Sequence, residues 1–242
     1  MEGKTQNIPV REEYKYIVSH DLYRHLRQDI GSFIAPDPHI LQDKNHYIVS
    51  SIYFENSELQ SYLTKINGLA KRYKLRIRTY PSGTTDTVSL EIKYKLYDKG
   101  SKHKTTIDKQ TRDRLLSSLQ NKLTGRITDP VFEQSMRYIR LHNFIPFIQI
   151  DYNRAAFYGR RDKKVRITFD SDIKCMRYQK NIPLSPYIPV LPNSNIMEIK
   201  TSGYFPFWLT YCIKKYGLKR TAVSKYAYSV QRLAINSSLC VR

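Results

Sequence analysis

The chain has 242 residues, 40% of them hydrophobic, and a formal net charge of +20. That length suits one large β-rich domain or two small ones, and the surplus of Lys and Arg predicts a polyanionic partner: nucleic acid, an acidic membrane surface, or a phosphate-rich molecule or polymer. The three cysteines are widely spaced and form no CxxC pair, which excludes a recognisable zinc site or disulfide framework.

Strand and helix patterns alternate along the chain. Strands are predicted at residues 10–18, 46–54, 72–80, 86–96, 102–107, 145–158, 163–170 and 195–201. Helices are predicted at residues 20–30, 56–68, 108–120, 130–142, 204–216 and 224–235, and the second of them has Asn56 as candidate N-cap and Gly68 as candidate C′ residue. Antiparallel strands with interspersed helices indicate an α+β protein built on one curved sheet or barrel.

Two strand patterns contain the same tripeptide, in "SLEIKYK" (89–95) and "IMEIKTS" (196–202). Side chains alternate between the two faces of a strand, so Glu91 shares a face with Lys93, and Glu198 shares a face with Lys200. A solvated outer face is the simplest reading of either copy alone.

Other strands repeat this division into one apolar and one charged face. The charged sides carry mostly cations: Glu13 and Lys15; Lys74, Arg76 and Arg78; Arg154 beside Tyr152; Lys164 and Arg166. Arg is a poor choice merely to solubilise a sheet, so we expect these faces to converge on an anion. The pattern predicts a barrel with apolar faces outward under the helices and a basic lumen.

In this order, the segments "REEYKYIVS", "YIVSSIYFEN", "KLRIRTY", "VSLEIKYK", "DYNRAAFYG", "VRITFD", "IMEIK" and "VSKYAYSV" resemble the VTC domain, the polyphosphate polymerase domain of the vacuolar transporter chaperone complex, which has bacterial relatives. This family belongs to the CYTH-like triphosphate tunnel metalloenzymes. The resemblance covers residues 8–235. It implies an antiparallel eight-stranded β-barrel with a basic lumen and helices packed outside, formed by residues 1–242 as a single domain.

The resemblance also implies an activity: transfer of the γ-phosphate of ATP onto a growing inorganic polyphosphate chain, with Mn²⁺ or Mg²⁺ as cofactor. Residue by residue, it implies a catalytic set of Arg76, Arg78, Lys93, Arg154, Arg166 and Lys200, a substrate-binding set of Lys15, Lys102, Tyr152, Ser224 and Lys225, and Glu198 as the metal ligand. Ser224 also suits a helix N-cap.

Two departures from the family pattern keep alternatives open. Arg11 stands where the triphosphatase branch carries the first acid of an E-x-E-x-K signature, and Ala222 stands where the complex carries a lysine. The first departure favours a polymerase over a triphosphatase in the same tunnel. A non-catalytic polyanion-binding module is the third possibility.

ATP and polyphosphate are the expected partners, with a membrane protein that accepts the chain as a further one, and no specific nucleic acid is expected. The N-terminal segment has no apolar signal core, and the most apolar run, "YFPFWLTYCI" (204–213), is too short to span a bilayer. We therefore expect a cytoplasmic protein, with the inner face of the membrane as a peripheral location. Trp208 and its aromatic neighbours are expected to pack a helix on the barrel, docking on a membrane partner being the alternative.

Overall fold

The computed structural model of the protein describes residues 12–37, 46–81, 88–97, 99–117, 129–179 and 186–239. Parts of the sequence predictions lie outside these residues: the start of the first strand with Arg11, residues 86–87 of the fourth strand, and residues 118–120 of the third helix.

The chain forms two compact units, each built from separate stretches of sequence. The first unit comprises Met1–Tyr47, Asn153–Asp172 and Leu191–Val223, and the second unit comprises Ile48–Tyr152, Ile173–Val190 and Ser224–Arg242. Two long strands, β7 (Ile145–Gly159) and β8 (Arg166–Arg177), contribute to both units. The prediction of a single domain over residues 1–242 stays a prediction.

The first unit is a sheet with two α-helices. Its described elements are β1 (Glu12–Ser19), α1 (His20–Ile30), a 3-10 turn (Gly31–Phe33), β2 (Ile34–Pro36), the end of β7, the start of β8, β10 (Ser194–Thr201) and α5 (Phe207–Lys215). The strand order is β1, β10, β8, β7, with β2 beside β7. The pairs β1–β10, β10–β8 and β2–β7 are antiparallel.

The core of the first unit lies between one face of this sheet and the two helices. The strands contribute Tyr16, Val18, Ile167, Phe169, Met197 and Ile199, and the helices contribute Leu26, Ile30, Leu209 and Cys212. Alternate strand residues supply this core, so the charged residues between them fall on the opposite face.

The second unit has the same construction with more helices. Its described elements are β3 (Tyr47–Glu55), α2 (Gln60–Ile66), β4 (Lys71–Thr79), β5 (Val88–Leu96), β6 (Lys99–Ile107), α3 (Lys109–Leu115), α4 (Pro130–His142), the start of β7, the end of β8, β9 (Ile188–Pro189) and α6 (Lys225–Leu239). The strand order is β7, β3, β4, β5, β6, with β9 beside β8, and the pairs β3–β4, β4–β5, β5–β6 and β8–β9 are antiparallel.

The core of the second unit lies between the sheet and helices α3 and α4. It contains Leu75, Ile77, Leu90 and Ile92 from the strands, and Leu115, Phe132, Met136 and Ile139 from the helices. In each unit, therefore, the apolar strand face lies under helices, as the sequence predicts.

Helix α2 begins later than predicted. Its N-cap is Leu59, in the left-handed region at φ 53°, and Asn56 accepts a hydrogen bond from the Gln60 amide at 3.0 Å. The fully buried Glu55 carboxylate accepts from the amides of Ser61 and Tyr62 at 2.9 and 3.0 Å. A buried acid thus satisfies the amide groups that the first turn of a helix leaves unpaired. Gly68 follows the helix at φ +66°, the conformation of a C′ residue, as predicted.

Glu55 also holds helix α6. The Tyr226 hydroxyl donates a hydrogen bond to Glu55 Oε2. Burial and the adjacent carboxylate raise the pKa of Tyr226, because both disfavour a phenolate at this position.

The observed elements establish an α+β protein with a mostly antiparallel sheet and helices over its apolar face. The sequence analysis did not predict two short strands, β2 and β9. The strand predicted to begin at residue 163 begins at Arg166, so Lys164 lies in the preceding turn. In the described residues, β1 and β6 are each paired on one side only, so a closed barrel stays a prediction. None of the described helices combines the length and the apolar character needed to cross a membrane.

Candidate functional site: two charged faces

Three adjacent strands of the second unit form a strongly basic surface. We call the alternate residues of β4, β5 and β6 that face away from the core the basic face. Its cations are Arg72, Lys74, Arg76, Arg78, Lys93, Lys95, Lys102 and Lys104, and Glu91 is its single carboxylate. The sequence fixes this arrangement through strand alternation, because Leu75 and Ile77 between the β4 cations are 1% exposed.

The strand register places like charges directly opposite one another. Lys74 is the partner of Lys93 on β5, and Lys93 is the partner of Lys102 on β6. Side chains at such positions are close neighbours, and like charges there repel. An anion that binds across this row would relieve the repulsion.

Glu91 organises the centre of the basic face. Its side chain is 3% exposed, and it accepts from Arg76 at 2.6 Å (Nη2) and from Lys102 at 2.6 Å (Nζ). Burial opposes ionisation, but Arg76, Arg78 and Lys102 outweigh it and lower the pKa of Glu91 to about 2. Glu91 is therefore a carboxylate at neutral pH. Its partners include Arg76 and Lys102.

Lys102 is the least firmly charged member of this cluster. Its side chain is 42% exposed, yet its ammonium lies against the buried Glu91 carboxylate. Desolvation of that ammonium lowers the pKa of Lys102, and Arg76 and Arg78 lower it further against the pull of Glu91, to about 8. A small rise above neutral pH is enough to discharge it.

The two arginines predicted as phosphate clamps are held by phenols and a hydroxyl. Arg76 donates to the Tyr53 hydroxyl at 2.8 Å, and Arg78 donates to Ser51 at 3.1 Å and to the Tyr152 hydroxyl at 3.2 Å. Burial raises the pKa of Tyr53, but Arg76 and Arg78 outweigh it, so that the net shift is downward. These neutral partners help to fix the guanidinium groups, and Arg76 is also paired with the Glu91 carboxylate.

The start of helix α6 also reaches the basic face. Ser224 accepts from Lys74 Nζ at 2.9 Å and from the Ala227 amide at 3.3 Å, so it is an N-cap and a neighbour of the basic face at once. The ammonium of Lys225 lies 4.9 Å from the centre of the Tyr152 ring. Both late-helix residues singled out in the sequence thus join the cluster.

The first unit presents a different surface, which we call the mixed face. It consists of the alternate residues of β1, β10 and β8 that face away from the core: Glu13, Lys15, Ile17, Ile196, Glu198, Lys200, Arg166, Thr168 and Asp170. Between β1 and β10 the register sets opposite charges against each other, Glu13 beside Lys200 and Lys15 beside Glu198, whereas Lys200 lies opposite Arg166 on β8.

Lys15 lies between two carboxylates. Its ammonium is 2.6 Å from Glu13 Oε1 and 3.6 Å from Glu198 Oε2, and Lys200 Nζ is 3.0 Å from Glu198 Oε1. Burial alone would lower the pKa of Lys15, but the two carboxylates outweigh it and raise the pKa. Glu198, 8% exposed, is thus flanked by two ammonium groups.

The two remaining predicted arginines are paired with buried aspartates. Arg154 donates to Asp170 through Nε at 2.6 Å and Nη2 at 2.8 Å, a two-pronged contact with a carboxylate that is completely buried. Arg166 Nη2 donates to Asp37 at 3.0 Å, while its buried Nε has no hydrogen-bond partner. The Thr168 hydroxyl, on the strand position opposite Glu198, is likewise buried without a partner.

The carboxylates of the mixed face fit one kind of metal site. Among the described residues, no group of three or more His, Cys, Asp or Glu side chains could enclose a metal ion. The carboxylates of Glu13 and Glu198 nevertheless lie near each other, because both contact the Lys15 ammonium. Mg²⁺ is commonly held by one or two carboxylates, with phosphate oxygens and water as its other ligands. The residues therefore fit a metal that arrives with a phosphate substrate.

The structure brings the predicted residues together in two groups. Arg76, Arg78, Lys93, Lys102, Tyr152, Ser224 and Lys225 lie in the second unit, and Lys15, Arg154, Arg166, Glu198 and Lys200 lie in the first unit. Sequence reasoning missed the acids that hold them, Asp37 and Asp170, and the phenol of Tyr53. Asp170 shares a strand face with Arg166 and could have been found by alternation. Asp37 is distant in sequence from its partner Arg166, so no strand alternation links the two residues.

A pocket of about 620 Å³ lies elsewhere in the second unit. Its lining includes Tyr73 on β4, and Tyr138 and His142 on α4. None of the predicted site residues lines it, so the candidate site rests on the charged faces.

Comparison with solved structures supports the fold. The chain is similar to a candidate adenylate cyclase from Bacillus halodurans, with a TM-score of 0.53 and 14% identity over 88% of this chain and 95% of that one. It is also similar to the PH1819 protein from Pyrococcus horikoshii, with a TM-score of 0.45 and 12% identity over 94% of this chain and 99% of that one. A comparison with curated proteins gave no match.

Comparison with protein families gives the identity that the sequence motifs anticipated. The model of the VTC domain matches residues 10–234, which include every strand and nearly every helical residue of both units. Both charged faces fall within the match. The chain belongs to the VTC domain family.

Proposed function

We propose that this protein is a polyphosphate polymerase that transfers the γ-phosphate of ATP onto a growing inorganic polyphosphate chain. The surplus of positive charge on the basic face carries the proposal, because eight cations beside the single Glu91 carboxylate attract a polyanion. The VTC family membership supports a triphosphate-binding domain of the tunnel fold. The eight-stranded barrel with a basic lumen and the single domain are part of the same proposal.

The basic face is assigned to the phosphate oxygens. Arg76 and Arg78 present planar guanidinium groups, which match pairs of phosphate oxygens, and Lys93 and Lys102 act as point charges. Tyr53 and Tyr152 orient the two arginines at 2.8 and 3.2 Å. Ser224 and Lys225 contribute from the start of α6 and bind substrate.

The mixed face is assigned to the metal and to charge matching in the transition state. Glu198 is the metal ligand, and Glu13 lies close enough to assist it through their shared lysine. Mn²⁺ or Mg²⁺, when bound, would neutralise charge on the phosphate oxygens. Lys15 and Lys200 hold the carboxylates in the absence of metal, while Arg154 and Arg166 supply further fixed positive charge.

The reaction balances without a protein nucleophile. A terminal oxygen of the polyphosphate chain attacks the γ-phosphorus in line, the bond from that phosphorus to the bridging oxygen breaks, and ADP leaves. Catalysis of such transfers consists largely of positioning and charge stabilisation. Preorganised cations on a sheet suit both tasks, since they need no rearrangement when charge develops.

A triphosphatase is the second candidate, and one contact favours it. Glu13 and Glu198 share the Lys15 ammonium, so two acids are available despite the arginine at position 11. Water would then replace the polyphosphate oxygen as the attacking group. A polyanion-binding module without turnover would use the basic face alone.

The test is the identity of the product. The purified protein is incubated with ATP and Mn²⁺ or Mg²⁺, the products are separated on a polyacrylamide gel stained for polyphosphate, and free phosphate is assayed in parallel. We expect a ladder of long polymer. Glu198→Gln should slow its formation about 10²–10³-fold, the usual cost of losing one preorganised charge contact. Glu133→Gln, an exposed change on α4, is the matched control and should leave the ladder intact.

The other outcomes are informative. Free phosphate without polymer contradicts the polymerase and supports the triphosphatase. Tight polyphosphate binding with neither product supports the binding module, or a polymerase that needs the membrane protein which accepts its chain. The proposed cytoplasmic location, at the periphery of the membrane, would be tested by fractionation of cells that produce the protein.

A further inference from the structure

Five aromatic side chains of the first unit lie together on its surface, away from the mixed face. We call Phe33, Tyr204, Phe207, Trp208 and Tyr211 the aromatic patch. Phe207 is 85% exposed, Tyr204 60%, Tyr211 56% and Phe33 43%. Such exposure of neighbouring large rings is unfavourable in water, and it marks an interaction surface.

The rings are fixed in place by the fold. Trp208 and Phe33 are stacked, with ring centres 5.2 Å apart and planes within 4° of each other. On α5, Leu209 and Cys212 are buried in the core, which leaves Phe207 and Tyr211, one helical turn apart, on the outer side. The patch is therefore preformed.

A cationic turn is attached to the aromatic patch. Five of the six residues between β7 and β8 form what we call the basic turn: Arg160, Arg161, Asp162, Lys163 and Lys164, of which all four cations are exposed. The Arg160 amide donates to the Phe33 carbonyl at 2.8 Å, and the Tyr204 hydroxyl donates to Asp162 at 2.9 Å. The one acid of the turn is thus engaged by the patch itself, and the cations stay outside.

The backbone of the turn packs closely against Gly159. A Cβ atom at this position would lie 2.5 Å from the Asp162 carbonyl oxygen, so no other residue fits without a backbone shift. A second group of cations lies at the other end of the patch, where α5 ends in Lys214 and Lys215. Lys215 is paired with Asp29 at 2.6 Å, and Lys214 is exposed.

We propose that the aromatic patch and the basic turn together dock the protein on a membrane surface that contains anionic lipid headgroups. Tyr and Trp rings combine an apolar body with a polar group, which suits the boundary between headgroups and acyl chains. Lys and Arg beside them complement the negative surface potential. No aromatic ring and no charged group of the proposed phosphate site takes part in this docking. The inference is therefore independent of the proposed function.

Charge and shape favour a lipid surface over other partners. Single-stranded nucleic acid is usually held in a groove whose cations follow the backbone. Here Phe207, Trp208 and Tyr211 lie on α5, Phe33 is stacked on Trp208, and Tyr204 precedes the helix; the cations belong to the basic turn and to the end of α5. Exposed aromatic rings flanked by Lys and Arg are typical of a peripheral membrane anchor.

The first measurement is binding of the whole chain to sedimented vesicles. Equimolar phosphatidylglycerol and phosphatidylcholine is compared with phosphatidylcholine alone, at physiological ionic strength. We expect binding to the anionic vesicles only. Failure to bind them would overturn the proposal.

Substitutions then locate the contact, since the basic face of the second unit also attracts anions. Phe207→Ser combined with Tyr211→Ser should weaken vesicle binding by about tenfold or more, because their rings enter the interface. Tyr97→Ser, which removes an aromatic side chain that is 72% exposed in the second unit, is the matched control and should have no effect. An equal loss of vesicle binding in the Phe207/Tyr211 double variant and in the Tyr97 variant would contradict the proposal.

Charge changes test the basic turn separately. Arg161→Gln with Lys163→Gln should weaken binding roughly twentyfold, since each surface cation contributes about fivefold. Arg137→Gln with Arg140→Gln on α4 removes two exposed cations from the second unit and should leave binding unchanged.

Trp208 provides a direct readout, because it is the only tryptophan of the chain. Its fluorescence should be quenched by vesicles whose acyl chains carry bromine, and not by the same vesicles when Phe207 and Tyr211 are replaced. Vesicle binding without quenching would place the contact elsewhere. If replacing these two rings abolished self-association or binding of single-stranded DNA and left vesicle binding intact, the patch would belong to that partner instead.

Discussion

The basic face and the mixed face share one sequence pattern and differ in electrostatic outcome. Both consist of alternate charged residues on three neighbouring strands. In the mixed face, three cations oppose three acids, whereas the basic face carries eight cations and Glu91. The difference comes mainly from composition, because one carboxylate cannot balance eight cations in any register. Register adds to it by setting Lys15 beside Glu198 in one unit and Lys74 beside Lys93 in the other.

This comparison distinguishes a surface whose charges neutralise one another from a surface that attracts a charged ligand. The mixed face satisfies its own charges, so its ion pairs contribute to the fold. The basic face keeps a surplus of positive charge, and such a surface attracts an anionic ligand. The following predictions test that contrast in order of decreasing effect.

Loss of the buried aspartate on the mixed face should be the most damaging change. Asp170→Asn leaves the Arg154 guanidinium buried without its charged partner, which typically costs about 3–5 kcal/mol. The free energy of unfolding in urea measures the effect. Asp172→Asn, an exposed change on the same strand, is the control and should be nearly neutral. Equal stability of Asp170→Asn and the unsubstituted protein would show that the mixed face is not structural.

Loss of the central lysine of the basic face should move affinity and stability in opposite directions. Lys93→Gln removes the middle charge of the Lys74, Lys93 and Lys102 row, so polyphosphate affinity should fall roughly fivefold while unfolding free energy rises by less than about 1 kcal/mol. Calorimetric titration measures the polyphosphate affinity, and urea unfolding measures the unfolding free energy.

Lys99→Gln is the control for this change. Lys99 is exposed at the start of β6 and points to the other side from Lys102. A fall in both affinity and stability for Lys93→Gln would mean that Lys93 is a structural residue and would remove the contrast between the faces.

The smallest expected effect is on pH dependence. Because the pKa of Lys102 is lowered to about 8, polyphosphate affinity should weaken as pH rises above 8, by no more than the roughly fivefold expected for losing one charge of the basic face. The unfolded chain holds this proton up to the ordinary lysine pKa, so stability should rise over the same interval. Affinity measured from pH 7 to pH 9.5 tests the first effect, and Lys102→Arg should flatten the curve. A flat curve for the unsubstituted protein would contradict the low pKa.

Much of the secondary structure was accessible from the sequence. Among the described residues, strand alternation located the eight long strands, seven of them within a few residues, whereas β8 continues to Arg177, seven residues beyond its predicted end. It also assigned Arg76, Arg78, Glu198 and Lys200 to charged faces. Helix periodicity located all six helices, and Ser224 was correctly read as an N-cap. These features depend on local spacing, which one sequence displays directly.

The missed features depend on distant residues. Asp37 accepts a hydrogen bond from Arg166, which is 129 positions further along the chain. At the start of α2, Glu55 accepts hydrogen bonds from the backbone amides of residues six and seven positions further along, a role that the sequence could not assign to it. Strand register decided that Glu91 pairs with Arg76 and Lys102. Spacing alone cannot predict register, because several alignments keep the same faces apolar.

The contact between Lys74 and Ser224 has a consequence for the order in which this molecule can be assembled. The two residues are 150 positions apart, and Tyr226 must reach Glu55 across 171. During synthesis the strands of the basic face emerge before helix α6. The second unit is therefore finished only when α6 has left the ribosome, and a chain truncated before Ser224 would carry the cations without the helix that completes them.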